Sequence, residues 1–234
     1  MRYQNSATPC AIAVAIAITA IAPAAARDAH GTTTARFEQQ YLIFVIDHHF
    51  GALRMAELAA GTEVQRSAAF SPREGTSPTP NFRATVAKAA LAEIKSIGRR
   101  DNRVQREEIL AAQRMLMKWY RLNHTPTLSG DAKRMIAMLE RAPAGPEFDK
   151  AFLRHMTHHH YQVLGPSVQC AVGAQLEHGE LQRYCKGILD AQMTQIDDMR
   201  HLLCERYSDC HYQPFRAHDG HAGDIGMEHP VMTD

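Results

Sequence analysis

The chain reads as all-α, a four-helix bundle assembled from two helix pairs. Nearly every segment with a clear hydrophobic period has the helical one, and strand-like alternation bounded by turn residues is absent. Two stretches begin alike, Phe37-Glu-Gln-Gln-Tyr-Leu and Phe148-Asp-Lys-Ala-Phe-Leu, and each reaches a histidine doublet eleven residues on, at His48-His49 and His159-His160. That match indicates an internal duplication. Two helix pairs that each expose an apolar stripe bury it best against one another, which is the bundle.

The elements follow in order. Residues 1–26 have the features of a secretory signal: Arg2 in a short n-region, an apolar run from Ala11 to Ala22, and Ala24-Ala25-Ala26 before Arg27. The mature chain is expected to be periplasmic or secreted. The first helix should run from about Thr34, a plausible N-cap, to about Ala60, with Phe37, Tyr41, Phe44, Val45, His48, Ala52 and Met55 on one side and Gly61 at its end. Residues 61–81 hold Ser71-Pro72, Gly75, Ser77-Pro78 and Pro80, which a helix would not survive, and read as an insertion. Helical character resumes near Phe82, weakens at Gly98 and continues from about Val104 to Leu122, until Asn123 to Gly130 break it.

A short helix over Asp131 to Arg141 leads to Pro143-Ala-Gly-Pro146, which separates the halves. The second repeat has one helix from about Glu147 towards Ala174 and another from about Gly179 to Tyr207. The expected organisation is a bundle domain over 27–210, with repeat one at about 36–123 and repeat two at about 147–207, followed by a mobile tail over 211–234. Ile109-Leu-Ala-Ala-Gln113 and Ile188-Leu-Asp-Ala-Gln192 look like matching second-helix motifs, 79 positions apart against 111 for the doublets.

Charge excludes some partners. The chain has 26 Lys+Arg and 25 Asp+Glu, and Arg2 lies in the signal, so the mature chain is balanced and offers no electrostatic footprint for nucleic acid or an anionic membrane. No later stretch approaches the ~20 apolar residues of a membrane span, so no membrane insertion is expected after processing. The compositional outlier is histidine, with 14 residues, all beyond the signal. Cys170, Cys185, Cys204 and Cys210 remain in an oxidising compartment, and four cysteines allow three pairings. Antiparallel helices around Glu177-His178-Gly179 favour Cys170 with Cys185 and Cys204 with Cys210 over the other pairings and over a thiolate metal site.

Imidazole is the commonest protein ligand for copper, zinc, nickel and iron, so duplicated doublets in an apolar helical setting are candidate metal ligands. In His155-Met156-Thr157-His158-His159-His160, residues four apart share a helix face, which pairs His155 with His159 and Met156 with His160. Met55 lies two turns beyond His48 on the same side. Thioether sulfur is soft and suits Cu(I), while imidazole serves both Cu(I) and Cu(II), so mixed His and Met point to copper. The tail adds His218, His221, Met227 and His229 among glycines and acids, a composition that commonly binds metal. The bland alternative for each doublet is a hydrogen-bonded pair of helix histidines, and for each methionine, core packing. A Glu-x-x-His di-iron set, H-E-x-x-H, G-x-S-x-G, a P-loop and G-x-G-x-x-G are all absent, and no nucleophile stands out, so no enzyme is expected.

Phe148-Asp-Lys-Ala-Phe-Leu-Arg-His-Met-Thr-His-His-His, with Ile188-Leu-Asp-Ala-Gln-Met-Thr-Gln-Ile-Asp-Asp-Met, resembles the family called domain of unknown function 305. Its pattern is an aromatic and acidic start, Met three residues before His-His, a following Met-Ala, and a second helix with Ile-x-x-x-Gln leading to Met. The resemblance extends in two copies over most of residues 36–206 and implies a ferritin-like helical bundle, exported, that binds copper or serves copper resistance in a chaperone-like way. Other periplasmic copper proteins are then the expected partners. By position it implies His48, His49 and Met55 in the first repeat, Met156, His159 and His160 in the second, and Met199 in the last helix. Val45, Pro166 and Tyr120 stand where the pattern has methionine, so each copy has lost part of its sulfur set. The expected function is copper buffering or delivery. The alternatives are a non-metal helical interaction module and a metal-dependent oxidase.

Overall fold

The computed structural model describes residues 24–62, 79–173 and 175–214, with side chains from residue 33. The expected signal, apart from its last three residues, most of the insertion, and the tail residues His218, His221, Met227 and His229 lie outside the described residues. The described residues are helical, with no strand: α1 (Ala24–Ala60), α2 (Ala92–Tyr120), α3 (Gly130–Arg141), α4 (Pro146–Val168), a π turn (Gln169–Gly173) and α5 (Gly179–Tyr207). None of the helices is long and apolar enough to cross a membrane.

Three boundaries differ from expectation. Helix α1 starts at Ala24, upstream of Thr34. Residues 83–90 are extended rather than helical, because they lie as a strap along α1: Lys88 N donates to Leu58 O and Ala89 N to Ala59 O. Helix α2 runs unbroken through Gly98, whose missing side chain lets it approach α1; a Cβ there would stand 2.8 Å from Ala56 O. Pro166, with no N–H to give, lies inside α4 just before the ladder widens into the π turn. The first residues of the expected tail are fixed: Tyr212 Oη donates to Arg154 O, and Pro214 O accepts from His158 Nδ1.

Helices α1, α2, α5 and α4 form a ring of antiparallel neighbours. Asn102 meets Leu53 across α1 and α2, Tyr41 meets Ser167 across α1 and α4, and Arg100–Asp198 and Arg206–Glu93 ion pairs join α2 to α5. The acids of the two similar stretches do the same work. Glu38 accepts from the backbone N–H of Glu177 and His178 at the start of α5 and from Tyr120 Oη; Asp149 accepts from Ala90 and Leu91 at the start of α2 and from Tyr207 Oη. Each carboxylate thereby satisfies donors that a helix N-terminus leaves unpaired.

Disulfides close Cys170–Cys185 and Cys204–Cys210. Two buried apolar clusters fill the ring. One contains Met55, Ile94, Phe148, Phe152, Met156 and Met199, and the other Tyr41, Leu42, Ile109, Leu116, Val163 and Ile188. The histidine doublets lie between them along the helices.

Candidate metal centre

Helices α1 and α4 cross at the doublets. The rings of His48 and His159 stack with centroids 3.8 Å apart. His48 Nε2 donates to His159 O at 3.0 Å, and His159 Nε2 donates to His48 O at 3.1 Å. A carbonyl oxygen only accepts, so in both neutral rings the proton is on Nε2 and the lone pair on Nδ1.

The second histidine of each doublet turns into the bundle. His49 and His160 are fully buried. His49 Nε2 lies 2.9 Å from Glu108 Oε2, and His160 Nε2 lies 2.6 Å from Gln195 Oε1. The His160 Nε2 proton is held by Gln195 Oε1, which leaves the lone pair of the neutral ring on Nδ1, whereas His49 Nε2 and Glu108 Oε2 lie close without the alignment of a hydrogen bond. In the first doublet the two Nδ1 atoms face each other at 3.5 Å.

Burial, followed by the neighbouring imidazoles, holds His48 and His159 well below the usual 6.5, and burial takes His160 down to about 3. These rings are neutral at pH 7. Proton competition for them therefore sets in well below the 6.5 of a free imidazole.

Sequence reasoning missed the polar stripe opposite the doublets. Asp101, Gln105 and Glu108 follow one another on one face of α2, and Gln192 and Gln195 face them from α5. Both oxygens of Asp101, both ends of the Gln105 amide, Gln192 Oε1, Thr157 Oγ1 and the Nδ1 atoms of His159 and His160 are buried without a hydrogen bond. Burial raises the Asp101 carboxyl to about 7, and its Oδ2 lies 3.9 Å from His160 Nε2. So many polar atoms without a protein partner in one interior are costly unless ordered water, a ligand or an ion takes them up. Among the described residues, no three His, Cys, Asp or Glu side chains are gathered into a finished metal cage.

The missed signal was Gln105-x-x-Glu108-Ile109 and Gln192-x-x-Gln195-Ile196, which break otherwise apolar faces. Because Glu108 meets His49 and Gln195 meets His160, the second helices correspond at a spacing of 87, not the 79 of the Ile-Leu-x-Ala-Gln runs. Tyr120 accordingly corresponds to Tyr207, and Ala112 is the residue equivalent to Met199. The methionines Met55, Met156 and Met199 are fully buried in one cluster, on the side of the doublets that also holds Phe148 and Phe152. His155 does not pair with His159, whose Nε2 is engaged with His48 O; it lines a surface cavity between α3 and α4 instead.

Solved structures share this fold. CopM in the Ag-bound form is 21% identical, with a TM-score of 0.52 over 73% of this chain and 97% of that chain. CopM in the Cu(I)-bound and Cu(II)-bound forms is 20% identical with the same TM-score and coverage. No curated protein sequence matches the chain. Residues 83–203 match the family model described as domain of unknown function (DUF305), over half of the chain, and the chain belongs to that family.

Proposed function

We propose that this is an exported, periplasmic copper-binding bundle that buffers copper or hands it to other periplasmic copper proteins and carries out no chemical conversion. The observation that carries the proposal is the 3.5 Å separation of the His48 and His49 Nδ1 atoms, with the His48 Nε2 proton engaged by His159 O and His49 Nε2 lying 2.9 Å from Glu108 Oε2. Two lone pairs facing at that distance repel unless a proton or a cation lies between them. A metal with bonds of about 2.0–2.1 Å to imidazole, bridging nitrogens that far apart, would subtend roughly 115°, between tetrahedral and trigonal. A carbonyl and a carboxylate close to Nε2 are the outer groups that orient metal-binding imidazoles.

In the second doublet both Nε2 atoms are engaged, His159 with His48 O and His160 with Gln195 Oε1, and Met156 and Met199, each four residues from a member of the His160–Gln195 pair, supply soft sulfur on the same side. Copper accepts both donor types. CopM, similar in fold, has been solved with Ag, Cu(I) and Cu(II), which supports copper as the cargo.

A second reading is a helical interaction module in which the doublets only hold α1 and α4 in register. The His48–His159 exchange of hydrogen bonds favours it, since that contact needs no metal. The test is Cu(I) and Cu(II) uptake by the mature chain, compared with a variant carrying glutamine at all four doublet positions. Copper binding predicts uptake by the mature chain that the variant loses, and a Tm that rises with copper only in the former. Equal uptake, or a loss of Tm that is the same with and without copper, supports the interaction module.

A further inference from the structure

We propose that the Cys204–Cys210 disulfide is a thiol-exchange site, and that its reduction by a dithiol unclasps residues 209–214 from α4. The Cys170–Cys185 and Cys204–Cys210 bonds differ in access. Cys170 and Cys185 are fully buried, packed in the apolar cluster with Tyr41, Val163 and Leu181, whereas Cys210 is exposed and Cys204 half-buried near the end of α5. A thiolate attacks a disulfide sulfur only where it can approach it, so the folded chain presents Cys204–Cys210 to an outside thiol and withholds Cys170–Cys185.

The accessible bond fastens a segment. Helix α5 stops at Ser208, which has φ 57° in the left-handed region, and the N–H groups of Ser208 and Asp209 donate to Cys204 O and Leu203 O as the chain reverses. Cys210 then closes onto Cys204, with the Cα atoms 4.2 Å apart. From there the chain runs along α4: Arg154 Nε donates to Asp209 Oδ2 at 2.9 Å, Tyr212 Oη to Arg154 O at 2.8 Å, and His158 Nδ1 to Pro214 O at 2.9 Å. The first two contacts are exposed, where water competes for each partner and little net energy remains. The covalent ring fixes where the segment starts, which keeps such weak contacts together.

The exchange balances as two successive displacements. One thiolate of the dithiol attacks Cys210 Sγ, the S–S bond breaks, and Cys204 leaves as a thiolate that takes a proton. The second thiol of the reductant, deprotonated, attacks the mixed disulfide and releases Cys210 in the same way. Two electrons and two protons pass to the cysteine pair, and the dithiol becomes a disulfide. Release of the segment takes the carbonyl away from His158 Nδ1 and removes the Tyr212–Pro214 wall of the 550 Å³ cavity that Met138, His155 and His158 also line. None of these contacts involves a doublet, so the clasp does not depend on the metal reading.

The test treats the mature chain with dithiothreitol under native conditions, quenches with N-ethylmaleimide and maps the labelled cysteines by mass spectrometry. Cys204 and Cys210 should be alkylated at least about 100-fold faster than Cys170 and Cys185, whose reduction waits on opening of the core. Nuclear magnetic resonance reads the clasp: Overhauser contacts between the Tyr212 ring and α4 near Arg154 should be lost on reduction, and the His158 imidazole should shift, while contacts within α1 persist. The C204S/C210S variant should show the same losses without any reductant. Equal alkylation rates for the two pairs, a Cys204–Cys210 bond that resists the dithiol, or Tyr212 contacts that survive its reduction would overturn the proposal.

Discussion

His48 and His159 hold each other in place. Each ring donates to the backbone carbonyl of the other residue, at 3.0 and 3.1 Å, and the rings stack between the two helices. Removing either ring takes away one donor and leaves the other ring facing a cavity. His48→Ala and His159→Ala should each lower unfolding free energy by about 2–4 kcal/mol. The double variant should cost at least about 1 kcal/mol less than the sum, because the second substitution removes a partner already lost. Urea denaturation of the metal-free protein measures this, and strict additivity would show that the two contacts are not coupled.

In the proposed copper site, Glu108 would act on the metal through His49. Its carboxylate oxygen lies 2.9 Å from Nε2, where its charge would make Nδ1 a stronger donor to a metal, whereas the Gln195 amide offers His160 only a neutral partner. Glu108→Gln keeps an acceptor in place while removing the charge. Copper affinity should fall about 10- to 100-fold, with thermal stability of the metal-free protein close to that of the parent. A competition assay with a chromogenic chelator reads the affinity, and an unchanged value would separate Glu108 from the site.

The helices and the doublets were legible because each rests on local pattern. Period, breakers and the repeated Phe-acid start all lie within a few turns of chain. The partners of the doublets were not, since pairing across antiparallel helices depends on register. Ile109-Leu-Ala-Ala-Gln113 and Ile188-Leu-Asp-Ala-Gln192 share more letters than Gln105-x-x-Glu108-Ile109 and Gln192-x-x-Gln195-Ile196, yet only the latter face the histidines. The strap over 83–90 was misread for a related reason: its alanines suit a helix, but its backbone hydrogen bonds go to the end of α1.

Gly98 shows the same priority of tertiary contact over propensity. Alanine favours a helix over glycine by about 1 kcal/mol, so Gly98→Ala would stabilise an isolated α2. In the fold the new methyl would stand 2.8 Å from Ala56 O and 3.3 Å from the Ala59 and Ala60 Cβ atoms, and helix backbone cannot move aside cheaply. Overpacking of about 1–3 kcal/mol should outweigh the gain. The expected result is a lower Tm for Gly98→Ala, and a higher one would mean that α1 and α2 separate readily.

Acid should unfold the metal-free bundle through its interior imidazoles. His48, His159 and His160 are held below 6.5 in the folded chain, His160 at about 3. Their contribution to stability is complete above 6.5 and is lost as pH falls towards the folded values, because the unfolded chain takes up protons that the folded chain refuses. Asp101 runs the other way: raised from 3.8 to about 7, it holds a proton in the folded state that the unfolded state releases, so it favours folding increasingly as pH falls through that window. The three imidazoles outnumber the one carboxyl, so unfolding takes up protons on balance and stability falls as the solution is acidified below 6.5. Asp101→Asn removes the opposing group, so its stability should fall more steeply with acid than that of the parent. Denaturation midpoints between pH 4.5 and 7 give both slopes, and equal slopes would mean that Asp101 is not protonated in the folded protein.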